Sequence, residues 1–146
     1  MKAEELRIGN LVRIIPIDPT SQGAIRVIKV LNSYVDEVDL MTENGEPRLA
    51  SIIDIEPIPI TEEWLLRFRF IKKPKTNIYL KPMFSIGEKI LKLMAVCLDD
   101  NSSTIAIVDY YTETEKSDLL HLDYQFIHQL QNLFFALCGE ELKIKE

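Results

Sequence analysis

"IEPIPITEEWLLRFRF", Ile55 to Phe70, is the stretch on which the reading of this chain turns. Pro57 and Pro59 cannot donate to a β ladder, and each pushes the residue before it toward extended geometry. A strand should therefore stop near Glu56. Thr61 is placed to accept a backbone N–H from the following turn. Glu62 and Glu63 then meet the positive end of a helix dipole, and Ile60 and Leu65 stand at staple positions. Trp64, Leu65 and Phe68 share one helical face. The segment predicts a strand stop followed at once by a helix start. It lacks P-x-x-P spacing, which argues against a proline-motif ligand.

On the N-terminal side the chain reads as short strands: Asn10–Ile17, Ala24–Leu31, Ser33–Met41 and Arg48–Ile55. "DPTSQG", "NS" and "TENGEP" break them, and Asn44-Gly45 is a tight-turn signal because both residues tolerate positive φ. Short β-rich runs at this spacing predict a small barrel of about five strands, SH3-like in form. On the C-terminal side Pro74 ends the first helix region. "IYLKPMF" (Ile78–Phe84) reads as a strand, with Pro82 favouring an edge. "KILKLMAVCL" (Lys89–Leu98) and "TIAIVDYY" (Thr104–Tyr111) read as a hairpin. The polar "TETEKSD" (Thr112–Asp118) reads as a loop. The last segment predicts a helix capped by Asp123, with Phe126, Leu130, Leu133, Phe134 and Leu137 on one face, Ile127 and Phe135 widening it, and Gly139 at its end. The expected fold class is α+β: an N-terminal SH3-like β-barrel over 1–58, then an α-β-β-β-α module over 59–146, helix, antiparallel sheet and C-terminal helix, packed against it.

Composition sets the outer bounds. Of 146 residues 47% are hydrophobic and 27% charged, which is neither disordered nor fibrous. The net charge of −6 argues against a dedicated nucleic-acid coat. That charge is uneven: residues 61–100 carry 8 basic and 5 acidic groups, against 6 and 10 in residues 1–60 and 3 and 8 in residues 101–146. "MKAEELRIGN" has no apolar signal-peptide region and no apolar run reaches membrane-spanning length, so a cytoplasmic protein without a membrane partner is expected. Cys97 and Cys138 fit no metal or redox spacing and read as reduced core thiols.

Three stretches, "ELRIGNLV" (Glu5–Val12), "IEPIPITEEWLLRFRF" and "HQLQNLFFALCGEEL" (His128–Leu142), resemble a family of small uncharacterised proteins of Bacteroides-group bacteria, their phages and mobile elements. They mark the start, middle and end of the chain. The resemblance implies an intracellular accessory protein and brings no catalytic residues. It departs at two positions: members often have Gly where this chain has Arg69 and Thr where it has Cys138. The first bears on how the helix ends. The second speaks against Cys138 as an essential nucleophile.

Motifs for chemistry are sparse. His121 and His128 lie seven residues apart, but a helix starting at Asp123 leaves His121 outside it, and His128 falls off the main apolar face. Both read as structural or surface residues rather than metal ligands. Asp99, Asp100, Asp109, Glu113, Glu115 and Asp118 have no calcium-loop spacing. Cys97 lies inside an apolar run, where burial makes a thiol inert. No G-x-G-x-x-G, P-loop, G-x-S-x-G or H-E-x-x-H pattern occurs, so no enzyme activity, cofactor or metal is expected. The leading expectation is a non-enzymatic interaction protein with a protein partner or a second copy of itself. The alternative is a nucleic-acid-binding module. Arg67, Arg69, Lys72, Lys73, Lys75 and Lys81 would contact phosphates, and the interleaved Phe68, Phe70 or Tyr79 would stack on a base. The acidic total favours the plainer reading, in which those aromatics are core and the cations solvated.

Overall fold

The computed structural model describes residues 2–15, 25–32, 37–42, 45–86, 89–97, 103–110 and 115–145. It is a mixed α+β chain that divides into two compact units. The first comprises Met1–Ile58 with Phe126–Asn132, the second Pro59–Gln125 with Leu133–Glu146. The sequence reading had assigned all of 59–146 to one module.

The first unit holds strands β1 (Leu11–Ile14), β2 (Ile25–Asn32), β3 (Glu37–Met41), β4 (Pro47–Ser51) and β5 (Ile55–Glu56). All neighbours are antiparallel, in the order β4-β3-β2-β1-β5. Alternation in β3 sends Val38 and Leu40 inward, and with Leu6, Val12 and Ile55 they form the core. The fourth expected run, Arg48–Ile55, is in fact split. A 3-10 turn at Ile52–Asp54 separates β4 from β5. The described pairings leave β4 and β5 as edges, so a closed barrel is not formed among the described residues. Gly45 takes φ +79, as the tight-turn signal requires, while Asn44 lies outside the described residues.

The second unit opens with helix α1 (Glu62–Arg67). Trp64 N–H donates to Thr61 Oγ at 3.4 Å, so Thr61 is the N-cap. The helix ends as a Schellman motif. Phe70 N–H donates to Leu65 O and Arg69 N–H to Leu66 O, both at 2.9 Å, with Arg69 at φ +62. Leu65 and Phe70, the pair whose apolar contact accompanies this motif, are both buried. A side-chain-bearing residue at that left-handed position costs about 1 kcal/mol relative to glycine.

Five antiparallel strands follow: β6 (Ile71–Lys72), β7 (Ile78–Ile86), β8 (Lys89–Cys97), β9 (Ser103–Tyr110) and β10 (Glu115–Leu122), in the order β10-β9-β8-β7-β6. The β8–β9 hairpin is as expected. Two strands correct the expected three-stranded sheet. β6 is two residues long, too short to show periodicity. β10 takes in Glu115–Asp118, which had been read as loop. Its charged composition is what sheet edges carry, and its register slips against β9 between Lys116 and Leu120. Pro82 sits in β7 beyond the reach of β6, at a register shift, where no ladder N–H is needed.

Helix α2 spans Ile127–Cys138, not from Asp123. Phe126 N–H donates to Gln129 Oε1 at 3.1 Å, the reach-back half of a capping box. Gly139, at φ +70, donates to Phe135 O and ends the helix. Among the described residues no helix is long and apolar enough to cross a membrane.

Candidate functional site

The basic stretch of the second unit does not act as one surface. Arg67, in the last turn of α1, lays its guanidinium 4.4 Å from the centre of the Trp64 ring. Lys72, on β6, donates to Glu62 Oε1 at 2.8 Å and lies over Tyr79. That carboxylate and the Tyr79 hydroxyl push the Lys72 ammonium up to about 12. Lys73 and Lys75 belong to the β6–β7 turn, where Lys75 is exposed at φ +59. The interleaved aromatics Phe68, Phe70 and Tyr79 are all buried. They pack the core of this unit and offer no base a stacking face. A single-strand binder pairs cations with exposed stacking rings, and these three rings are not exposed.

Arg69 and Lys81 do come together. Lys81 Nζ, on β7, donates to Phe68 O at 2.8 Å and lies 5.9 and 5.6 Å from the Phe70 and Phe134 ring centres. Burial first, then the Arg69 charge, holds its ammonium below the ordinary lysine value. Both line a cavity of about 640 Å³ together with Phe134, Glu140, Glu141, Lys143 and Ile144. The chain reaches it because Gly139 turns it off α2 and Lys145 N–H donates to Arg67 O at 2.7 Å. Sequence reasoning missed Lys143 and Phe134. The signal for Lys143 was the charged run behind the helix-ending glycine, and Phe134 was read as an apolar-face residue of the helix without a role in a site.

In the first unit α2 presents amides instead of ions. Gln131 accepts from Leu11 N–H at 2.9 Å and donates to Gly9 O at 3.2 Å. Asn132 accepts from Asn10 Nδ2 at 2.9 Å and donates to Glu5 O at 2.7 Å. His128, expected off the main apolar face as a structural or surface residue, is 2% exposed. Neither ring nitrogen has a hydrogen-bond partner, and the nearest Glu5 oxygen stands 3.9 Å from Nε2. Phe126 stacks on it at 5.9 Å. Burial pushes the imidazole below its ordinary value near 6.5, against a weaker opposite pull from Glu5. The folded chain thus holds His128 neutral while the unfolded chain protonates it. Its contribution is present above about pH 6.5 and is lost as pH falls further toward the depressed folded value. Urea unfolding at pH 7 and pH 5 should show wild type losing stability relative to His128→Phe. Parallel losses in both proteins would remove His128 as the source.

His121 lies in β10 and its side chain is outside the described set, as are the side chains of Asp109, Glu115 and Asp118; Asp99, Asp100 and Glu113 lie outside the described residues. Cys97 and Cys138 are free and half-buried, and burial raises both thiols. No group of three metal-ligating side chains gathers among the described residues.

A further feature of the first unit is apolar and exposed. Ile53, in the 3-10 turn, is 78% exposed, and Leu49, on edge strand β4, is 55% exposed. Ile15, 44% exposed, adjoins that turn, its N–H donating to Asp54 O at 2.7 Å. No protein-family model, curated protein or solved structure matches the chain.

Proposed function

We propose that the protein is a non-enzymatic interaction module whose first unit takes up an extended segment of a protein partner along β4. The observation that carries this is an edge strand, β4, that bears the exposed Leu49 and runs directly into a turn bearing the exposed Ile53. An edge supplies unpaired backbone groups for an added strand, and apolar side chains next to it supply pockets or contacts for alternate residues. Asp39, the cross-strand neighbour of Leu49, and Asp54, next to Ile53, outweigh Arg48 on β4 and favour a partner segment with basic residues. The order β4-β3-β2-β1-β5, with a 3-10 turn before β5, supports reading this unit as an open SH3-like barrel. The motif resemblance to accessory proteins of Bacteroides-group phages and mobile elements supports the same intracellular role.

The test is selection from a displayed library of random decapeptides. Apolar-basic sequences that bind wild type and lose at least tenfold in affinity to both Leu49→Asp and Ile53→Asp are expected. Both positions are exposed, so the variants should fold. Binders indifferent to these changes, or none, would sink the reading. A labelled single-stranded RNA bound with a steep salt slope, and lost in the Lys72/Lys73/Lys75→Glu triple variant, would replace it with the nucleic-acid alternative.

A further inference from the structure

The geometry points to a second binding site in the other unit: the cavity lined by Arg69, Lys81, Lys143 and Phe134, which takes a small organic anion carrying an apolar or aromatic body. Its volume, about 640 Å³, lies within the range of small-molecule sites. Three cations line it, and none forms an ion pair among the described residues.

Backbone geometry and packing place two of the three cations, Arg69 and Lys81. Arg69 occupies a left-handed position at which glycine is the better residue, so its side chain is retained against the preference of the backbone. Lys81 is anchored by the Phe68 carbonyl and flanked by two aromatic rings. Lys143 arrives through the segment pinned by the Lys145–Arg67 backbone bond. Lys81 is half-buried and faces the Arg69 charge, and an anion between the two relieves their repulsion. The lowered Lys81 ammonium is consistent with that frustration.

Phe134 and Ile144 add an apolar wall, which inorganic phosphate cannot use. Glu140 and Glu141 line the same cavity, so a ligand with a hydroxyl or amino donor beside its anionic group suits it better than a bare polyanion. The inference is independent of the β4 docking surface, which lies in the first unit.

Calorimetric titration of the full chain with benzoate, phenyl phosphate and inorganic phosphate, with benzylamine as the opposite-charge control, tests it. Expected is saturable binding of at least one aromatic anion, at least tenfold tighter than inorganic phosphate, and none of benzylamine. Lys81→Met and Arg69→Gly should each weaken it at least tenfold, and Lys75→Met, outside the cavity, should leave it unchanged. Arg69→Gly should at the same time raise the melting temperature, which separates lost binding from lost folding. Benzoate and phenyl phosphate distinguish a carboxylate from a phosphate head. No binding of either aromatic anion, binding of inorganic phosphate as tight as theirs, or binding unaffected by both cavity variants would overturn the inference.

Discussion

Replacing Phe68 with alanine lowers the unfolding free energy by about 3–5 kcal/mol. Phe68 is fully buried at the C-terminal end of α1, with its ring 5.8 Å from that of Trp64. Truncation removes the transfer energy of a whole ring. It also opens a void between elements that cannot collapse freely, because the Schellman bonds on either side fix the backbone. The adjacent Leu66 is the internal control. It is 46% exposed, and Leu66→Ala should cost no more than about 0.5 kcal/mol. Urea unfolding followed by Trp64 emission measures both. Equal small costs would mean that the α1 face is not the core of its unit, and the placement of the Phe68 and Phe70 rings would have to be revised.

The second large effect is polar. Gln131→Leu should destabilise by about 2–4 kcal/mol, although leucine fills much of the same space. The glutamine amide satisfies Leu11 N–H and Gly9 O, and a leucine leaves the buried Leu11 N–H without a partner and the part-buried Gly9 O without its amide donor. Gly9 takes φ +94 to turn the chain into β1, so the strand has little freedom to find other partners. Asn132→Ala, which loses an exposed bond to Glu5 O and a part-buried one from Asn10 Nδ2, should cost about 1–2 kcal/mol. Chemical denaturation of the two variants at pH 7 separates them. A Gln131→Leu loss below about 1 kcal/mol would show that the amide is replaceable by water or by local rearrangement.

The positions at which sequence and structure part have a common character. Thr61, Gly139 and the Ile78–Phe84 strand were readable because caps, helix-ending glycines and β-branched runs act through the nearest few residues. The start of α2 was misplaced by three residues, Asp123 for Phe126 as the cap, because two signals competed. Asp123 has the better capping chemistry, but Gln129 reaches back to Phe126 N–H, and that arrangement won. β10 was missed because charge on an edge strand looks like charge in a loop. His128 fell off the main apolar face by helical position, and Gln131 gave no signal of its own, yet both are buried. Gln131 is buried because its amide answers backbone groups about 120 positions away. His128 is buried without that compensation, which is why its effect on stability depends on pH.

The sequence by itself determined the α+β class, the strand stop at Pro57–Pro59, the capped helix behind it and the absence of familiar catalytic motifs, since each rests on local stereochemistry or a contiguous pattern. Only the tertiary structure decided which cations meet. Of six basic residues within fifteen positions, Lys72 is neutralised by Glu62 and Arg67 is laid on Trp64, while Arg69 and Lys81 join Lys143, more than sixty positions on, around one cavity. Charge at a point in space is a sum over neighbours, and neighbours in this sum come from chain reversals that no local pattern encodes.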